Sequence, residues 1–442
     1  MEKTNCFRDF MKYTSLNVMG MIGLSCYILA DTFFVSQGLG TNGLTALNLA
    51  IPIYSFIHGS GLMIGMGGGT KYTIQKSQNE DTAANRIFTN AVYLAAGFAL
   101  FFVLVGLFLS GAIISWFGAD GAVFDMSKTY LQVILLFAPA FLMNNVLLCF
   151  VRNDGAPHLS MAAMIGGSLS NVVLDWVFIF PCQMGIFGAV FATGLAPIIS
   201  MLILSPHFIK KKNQFHFVKC RPQKRLFAGI LSSGVPSLVT EVSSGIVMIV
   251  FNAIILNLEG NVGVAAYGVI ANLSLVILAL YTGIAQGVQP LLSSNYGAQN
   301  HRNVQTVLRY AMVTMLLISA IVYAGVFFGA SQITSIFNSE NNATLQNIAT
   351  DGLRFYFIAC PFAGFNVILS IYFTSTEQPK PANTISLLRG FVVIIPMAFL
   401  LSWLGKIHGV WCAFPATELI VALLGLLLYI NIQRKRKELG TT

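Results

Sequence analysis

The chain predicts an all-α polytopic membrane protein of about twelve transmembrane helices in two pseudo-symmetric six-helix bundles. Three observations carry this expectation. First, only 9% of the 442 residues are charged while 56% are hydrophobic. A soluble domain carries roughly 25% charged residues, so too little polar side chain is present to cover a surface that faces water. Second, apolar runs long enough to cross a bilayer, about 20 residues each, recur along the chain. Third, the two halves repeat each other at a nearly constant offset. A closed barrel is excluded, because it needs short alternating strands rather than continuous apolar runs.

Twelve segments qualify as spans: 14–35, 46–70, 87–112, 128–150, 158–180, 185–209, 227–256, 263–290, 305–329, 346–372, 382–403 and 408–430. Gly and Pro inside 227–256 and 263–290 predict bends or tilt there. The polar residues 1–15 precede an apolar stretch long enough to span, so this is not read as a cleavable signal. The 40 Gly fit the same picture, since Gly is commoner in membrane helices than in soluble ones.

Orientation follows from the bases. With the N-terminus in the cytoplasm, 22 of the 25 Lys and Arg fall on the inner side, among them Lys3, Arg86, Arg152, Arg389, Arg436, Lys437 and the 210–225 cluster. Only Lys128, Arg354 and Lys406 fall outside. Cytoplasmic loops carry such an excess. Both termini are therefore expected in the cytoplasm. The net charge of +9 sits in short loops and tails between apolar runs, which points to a lipid bilayer and away from nucleic acid.

The most basic internal stretch, 210–225, divides the chain into an N-terminal lobe, 1–212, and a C-terminal lobe, 213–442. Leu44-Thr45-Ala46 matches Val264-Ala265-Ala266, and Gly67 matches Gly287, both at an offset of 220. Pro157 matches Pro379 at 222, and Gly188 with Ala192 matches Gly409 with Ala413 at 221. Six helices return the chain to its starting side, so the lobes would be related by an axis along the membrane normal.

Four acids lie inside apolar helices: Asp31, Asp175, Glu241 and Glu418. An acid at a helix centre costs roughly 2.5–3.5 kcal/mol on insertion scales and is placed only where it faces protein or water. Asp31 and Asp175 each lie 17 residues into outward-running helices, about 26 Å from the inner end. Asn171 shares a helix face with Asp175, and Thr193 falls in the same outer half. Two carboxylates, an amide and a hydroxyl at one depth make a site for a proton or another cation. Glu241 is the corresponding acid of the second lobe, and Glu418 either meets a substrate or pairs within its own lobe. No Lys or Arg is expected at the centre of a span; Arg389 and Arg354 lie near helix ends, where they snorkel. An interior with acids and no bases favours cationic solutes.

Other chemistries find little support. Gly65–Gly69 lacks the spacing of a phosphate loop and reads as close helix packing. The seven cysteines form no CxxC pair and read as small hydrophobes. His58 and His158 are read as isolated, the other histidines do no better, and no nucleophilic triad is evident. The chain is not read as an enzyme, and neither a cofactor nor a structural metal is expected.

The motifs resemble one family. Ala30-Asp31-Thr32-Phe33-Phe34, Gly65–Gly69, Asn171-xxx-Asp175, Pro236 with Glu241, and the string Gln286–Ala298 with Gly287, Gln289, Pro290, Asn295, Tyr296 and Gly297 are similar to those of the multidrug and toxic compound extrusion (MATE) transporters, bacterial MepA-like branch. The resemblance implies two six-helix lobes exporting lipophilic, mostly cationic compounds, coupled to H+ or Na+ entering. It places the first-lobe cation site on Asp31, Asn171, Asp175 and Thr193 and the second-lobe acid on Glu241. A monomer is the expected working form. Two alternatives stay open: a flippase or exporter of a lipid-linked or other endogenous metabolite, and a membrane enzyme or structural protein.

Overall fold

The computed structural model of the chain describes residues 6–119, 121–338 and 342–438. Lys3 and the side chains of Arg436 and Lys437, counted above among the inner bases, lie outside what is described. The described residues form an all-α fold. Its helices are α1 (Cys6–Ser77), α2 (Asp81–Phe108), α3 (Ser110–Trp116), α4 (Gly121–Leu136), α5 (Ala138–Asn153), α6 (Pro157–Ile179), α7 (Gly185–Ile209), α8 (Lys224–Gly297), α9 (His301–Phe337), α10 (Ala343–Tyr356), α11 (Cys360–Ser375), α12 (Pro379–Leu387) and α13 (Ile394–Glu438). Among the described residues, eight helical stretches are long and apolar enough to cross a membrane, or nine when α4 and α5, bent by 47°, count as one.

Several expected spans are joined or interrupted rather than free-standing. A straight α1 of 72 residues would reach about 108 Å, several times the ~30 Å hydrocarbon core. It turns back at Gly40, where φ 64° and ψ −157° fall in a region that essentially only glycine occupies. The two arms then lie side by side, with Tyr27 and Tyr54 hydroxyls 3.0 Å apart. α8 does the same at Gly260, φ 64° and ψ −156°, and Phe251 stacks on Tyr267 across that turn. α13 breaks at Lys406. A 3-10 turn, Phe357–Ala359, interrupts the segment around 346–372, and a π-helical turn, Leu388–Val392, interrupts the one around 382–403.

The left-handed backbone positions carry the internal repeat further than the sequence matches do. Gly40 pairs with Gly260 and Asn79 with Gln299 at an offset of 220, Gly155 with Glu377 at 222, and Gly185 with Lys406 at 221. The corners of the chain thus recur with the same spacing as the glycines and prolines.

Two compact units are present. One comprises Ser15–Val242 with Ser293–Gln299; the other comprises Met1–Thr14, Ser243–Leu292 and Asn300–Thr442. Residues 213–242, allotted above to the second lobe, belong to the first of these, and Glu241 goes with them. In that unit a buried cluster of Tyr72, Phe88, Phe150 and Phe215 has ring centroids 4.6–5.9 Å apart. The stretch leading from α7 to α8 is fastened rather than loose. Asp154 accepts from Tyr72 Oη at 2.6 Å, His207 Nε2 at 2.8 Å and the Gln214 amide at 2.9 Å. Asn85, Thr89 and Asn90, along one face of α2, accept from the amides of His216, Val218 and Gln223. His207 therefore has an acid partner, which corrects the reading of the histidines as isolated; the contact joins residues 53 apart in the chain.

The glycine run lets helices approach backbone to backbone. A Cβ on Gly67 would strike the Ile230 carbonyl, and one on Gly234 would strike that of Met63. Gly65 and Gly69 receive α5 through Asn145, Cys149 and Asn153. In the other unit Gly287 meets the backbone of Tyr13 and Thr14. Overpacking of this kind costs about 1–3 kcal/mol. Gly234→Ala is expected to lower the thermal unfolding temperature of the detergent-solubilised protein. Gly245→Ala, where an added Cβ meets nothing within 4 Å, should leave it nearly unchanged; equal shifts in both would remove the packing explanation.

Candidate functional site

The four polar residues chosen by depth come together in the Ser15–Val242 unit. Asp31 on the first arm of α1, Asn171 and Asp175 on α6 and Thr193 on α7 are all buried, at 7%, 0%, 0% and 5% exposure. The Asp31 and Asp175 carboxyls are near enough to act on each other, and an acid pair of this kind disfavours double ionisation. Oδ1 of each acid is buried with no donor among the described residues. The Asn171 amide nitrogen donates to Asp175 Oδ2 at 3.0 Å and its oxygen accepts from the Thr193 amide at 3.1 Å. The opposite amide orientation would leave only a 3.4 Å contact to Thr193 Oγ1 and face two acceptors at Asp175, so the first is preferred. The Thr193 hydroxyl donates to the Ala189 carbonyl at 3.1 Å.

Three tyrosines that sequence reasoning missed complete this enclosure. Tyr130 on α4 is buried close to Thr193. Tyr27 lies four residues before Asp31, hence on the same helix face, and its hydroxyl meets that of Tyr54. The i, i+4 spacing would have found Tyr27; nothing local marks Tyr130. Asp31 and Asp175 thus lie buried among an amide, a threonine hydroxyl and tyrosine rings.

Glu241 lies in the same compact unit as Asp31, and its Oε2 is 3.5 Å from His58 Nδ1. His58 is thus not isolated. The partners are 183 residues apart and meet only where α1 and α8 cross, so spacing along the chain does not reveal them. Glu418 on α13 is 1% exposed. Its Oε1 accepts from Arg389 Nη2 at 2.8 Å and Nε at 3.1 Å, and its Oε2 accepts from Asn366 Nδ2 at 2.7 Å. Arg389, 11% exposed in its side chain, therefore does not snorkel; it sits in the π-helical turn and neutralises Glu418. Glu418 thus pairs within its own unit. Arg152 is also buried, donating to Asn17 Oδ1 at 2.9 Å and contacting Met66 and Cys149 sulfurs. The expectation of an interior without bases is corrected on both counts.

Of the motif residues in Gln286–Ala298, Gln289 is fully buried and Gly297 accommodates the Ile74 backbone and the Ser77 hydroxyl. Pro290 sits within α8 beside Gln289, and Asn295 and Tyr296 close its C-terminal turn. Among the described residues, no group of three or more His, Cys, Asp or Glu is arranged to hold a metal ion.

An all-α polytopic body with a buried carboxyl pair enclosed by hydroxyls and an amide defines a membrane transporter rather than an enzyme. The MatE family profile matches residues 18–177 and 236–400, and the chain belongs to that family. It is 24% identical over 429 residues to the multidrug export protein MepA of Staphylococcus saprophyticus, covering 97% of this chain and 94% of that one. It is 23% identical over 443 residues to MepA of Staphylococcus aureus strain MRSA252, covering 100% and 97%. Its fold matches an outward-facing multidrug resistance MATE family transporter of the MOP superfamily at TM-score 0.91 and 23% identity, covering 97% and 96%. A MOP superfamily transporter from Pyrococcus furiosus, described as having a binding pocket of reverse polarity, matches at TM-score 0.89 and 22% identity, covering 97% and 96%.

Proposed function

We propose that this protein is an H+- or Na+-coupled antiporter exporting lipophilic, mostly cationic organic compounds across a bacterial cytoplasmic membrane. The observation that carries the reading is the buried Asp31–Asp175 pair beside Asn171 and Thr193, with one oxygen of each acid lacking a hydrogen-bond donor. A proton or metal cation arriving from outside changes the charge of this chamber by one. Asn171 and Thr193 hold the acids in place across that change. The first arm of α1, which carries Asp31 and Tyr27, is the element whose packing responds, and the organic cation is released as the charge is filled. Relatives named as multidrug export proteins support the substrate class. Glu418 is neutralised by Arg389, so the charge offered to a cation is assigned to Asp31 and Asp175.

The architecture in this proposal is twelve spans in two six-helix lobes defined by the sequence repeat, 1–212 and 213–442, with residues 213–242 of the second repeat packed in the compact unit of the first, both termini cytoplasmic, working as a monomer. Nine spans become twelve when α1, α8 and the stretch Pro379–Lys435, each broken by one non-helical residue, count as two. The recurrence of corners at 220–222 supports equal halves. Each lobe begins and ends on the same side, which permits alternating access by rocking.

Cells expressing the chain should expel ethidium faster than cells carrying the Asp31→Asn, Asp175→Asn double variant. Equal efflux by both would end the proposed role of the pair. The other reading, export of a lipid-linked or other endogenous metabolite, predicts a cell-wall or glycan defect on deletion with unaltered drug sensitivity.

A further inference from the structure

Seven bases and no acid fall in residues 210–225, the stretch that leads from α7 into the first turn of α8. All seven are exposed, and none is joined to an acid among the described residues. Acids on the elements that carry the stretch are already engaged. Asp154 is taken by Tyr72, His207 and the Gln214 amide, and Asp81, which opens α2, binds Lys76 at 2.6 Å.

A loop that served only to keep bases on one side of a membrane could be loose. This one is fixed. The amides of Gln214, His216, Val218 and Gln223 all donate to side chains of the same unit, Phe215 is buried, and Tyr93 Oη donates to the Cys220 carbonyl at 3.2 Å. Its ends also hold it at the membrane boundary. Ile209 is the last residue of α7 and Lys224 the first of α8, and both helices are long and apolar enough to span. Two apolar side chains stand uncovered among the bases, Ile209 at 75% exposure and Phe217 at 56%. Tyr93 packs edge-on against the Phe217 ring at 5.8 Å and 88°, which steadies the ring without covering it.

We propose that residues 209–225 form a docking surface for anionic lipid headgroups. The bases pair with lipid phosphates, and Ile209 and Phe217 enter the boundary between headgroups and acyl chains, where a mixture of basic and apolar side chains is favoured. Clusters of four to eight bases directly beside a spanning helix have this chemistry. A soluble acidic partner would match the charge, but it would leave the two apolar side chains and the attachment at both span ends without a use. The surface goes beyond the exporter reading and does not depend on it, because no transport step enters. Its attraction should weaken with salt, since exposed charges are screened beyond about 10 Å at 0.1 M.

The test is photo-crosslinking of the full chain in proteoliposomes, with phosphatidylglycerol or phosphatidylcholine carrying a diazirine near the head of one acyl chain. Yield is read on the peptide that contains 209–225. Wild type should favour phosphatidylglycerol at least about fivefold at low salt, the contribution of a single base at an anionic surface, and high salt should shrink that preference. Lys210→Gln, Lys211→Gln, Lys212→Gln, Lys219→Gln and Arg221→Gln together should lose most of it at an unchanged unfolding temperature. Arg302→Gln, Arg309→Gln and Lys380→Gln together, exposed bases of the other unit, should keep it. Phe217→Ser should lower crosslinking of both lipids. Should the five-base variant fold poorly, the salt dependence of wild type decides alone. Equal crosslinking of the two lipids by wild type, a preference that salt leaves unchanged, or an equal loss in the Arg302 set overturns the inference. So does displacement of the lipid by inorganic phosphate or polyglutamate at equal charge concentration, which would assign the bases to a soluble anion or an acidic protein. The exporter reading is read separately, by flux, and stands or falls without this result.

Discussion

Asp175→Asn is expected to abolish gradient-driven export while leaving the fold intact. The amide is nearly isosteric with the acid, so the chamber keeps its shape. What it cannot do is release and regain a proton, or contribute charge to a bound cation. Uphill flux should fall at least about tenfold, equivalent to some 1.4 kcal/mol of lost differential binding. Asp31→Asn should do the same, because the two acids are proposed to act as one pair. The double variant should be no worse than either single one, since residues acting as a unit are not additive. Concentrative transport measured in proteoliposomes, with unfolding temperature measured alongside, separates loss of coupling from loss of fold. A coupled Asp175→Asn would remove the pair from the mechanism.

Removing Arg389 should have the largest effect on stability. Arg389 supplies two of the contacts that satisfy Glu418, at 2.8 and 3.1 Å, and the carboxylate is 1% exposed. Breaking one partner of a buried ion pair costs about 3–5 kcal/mol, because the other charge is left uncompensated. Arg389→Met should therefore lower the unfolding temperature sharply. Arg389→Met with Glu418→Gln should recover most of that loss, because Gln keeps an acceptor for Asn366 without a buried charge. The double-mutant cycle measures the coupling directly. Additive effects would mean that the pair contributes little as a pair. Neither variant touches the Asp31 chamber, so coupling in the recovered double variant should persist.

The parts of this structure legible in the sequence are those that depend on local length and spacing. Apolar run length encodes a span, and helical rise placed Asp31 and Asp175 at one depth before any contact was known. The 220-residue offset was equally visible, and Gly40 with Gly260 follows it. Contacts between distant segments were not legible. Arg389 meets Glu418 across 29 residues, with Asn366 arriving from a third helix. His58 meets Glu241 only because Gly59 lets α8 come close. Treating each base by its position along a span hid both the buried Arg152 and the paired Arg389. The repeat itself shows why the halves differ in chemistry. The position 220 after Asp31 is Phe251, fully buried against Tyr267, so the acid has an aromatic ring as its counterpart.

The most direct test of the coupling account is transport of tetraphenylphosphonium in proteoliposomes under separately imposed H+ and Na+ gradients, for wild type and for Asp31→Asn and Asp175→Asn. The account predicts concentrative flux in wild type driven by at least one of the two ions, opposite in direction to that ion's flow, and absent in both variants. Flux indifferent to both gradients, or gradient-driven flux that survives either substitution, would contradict it.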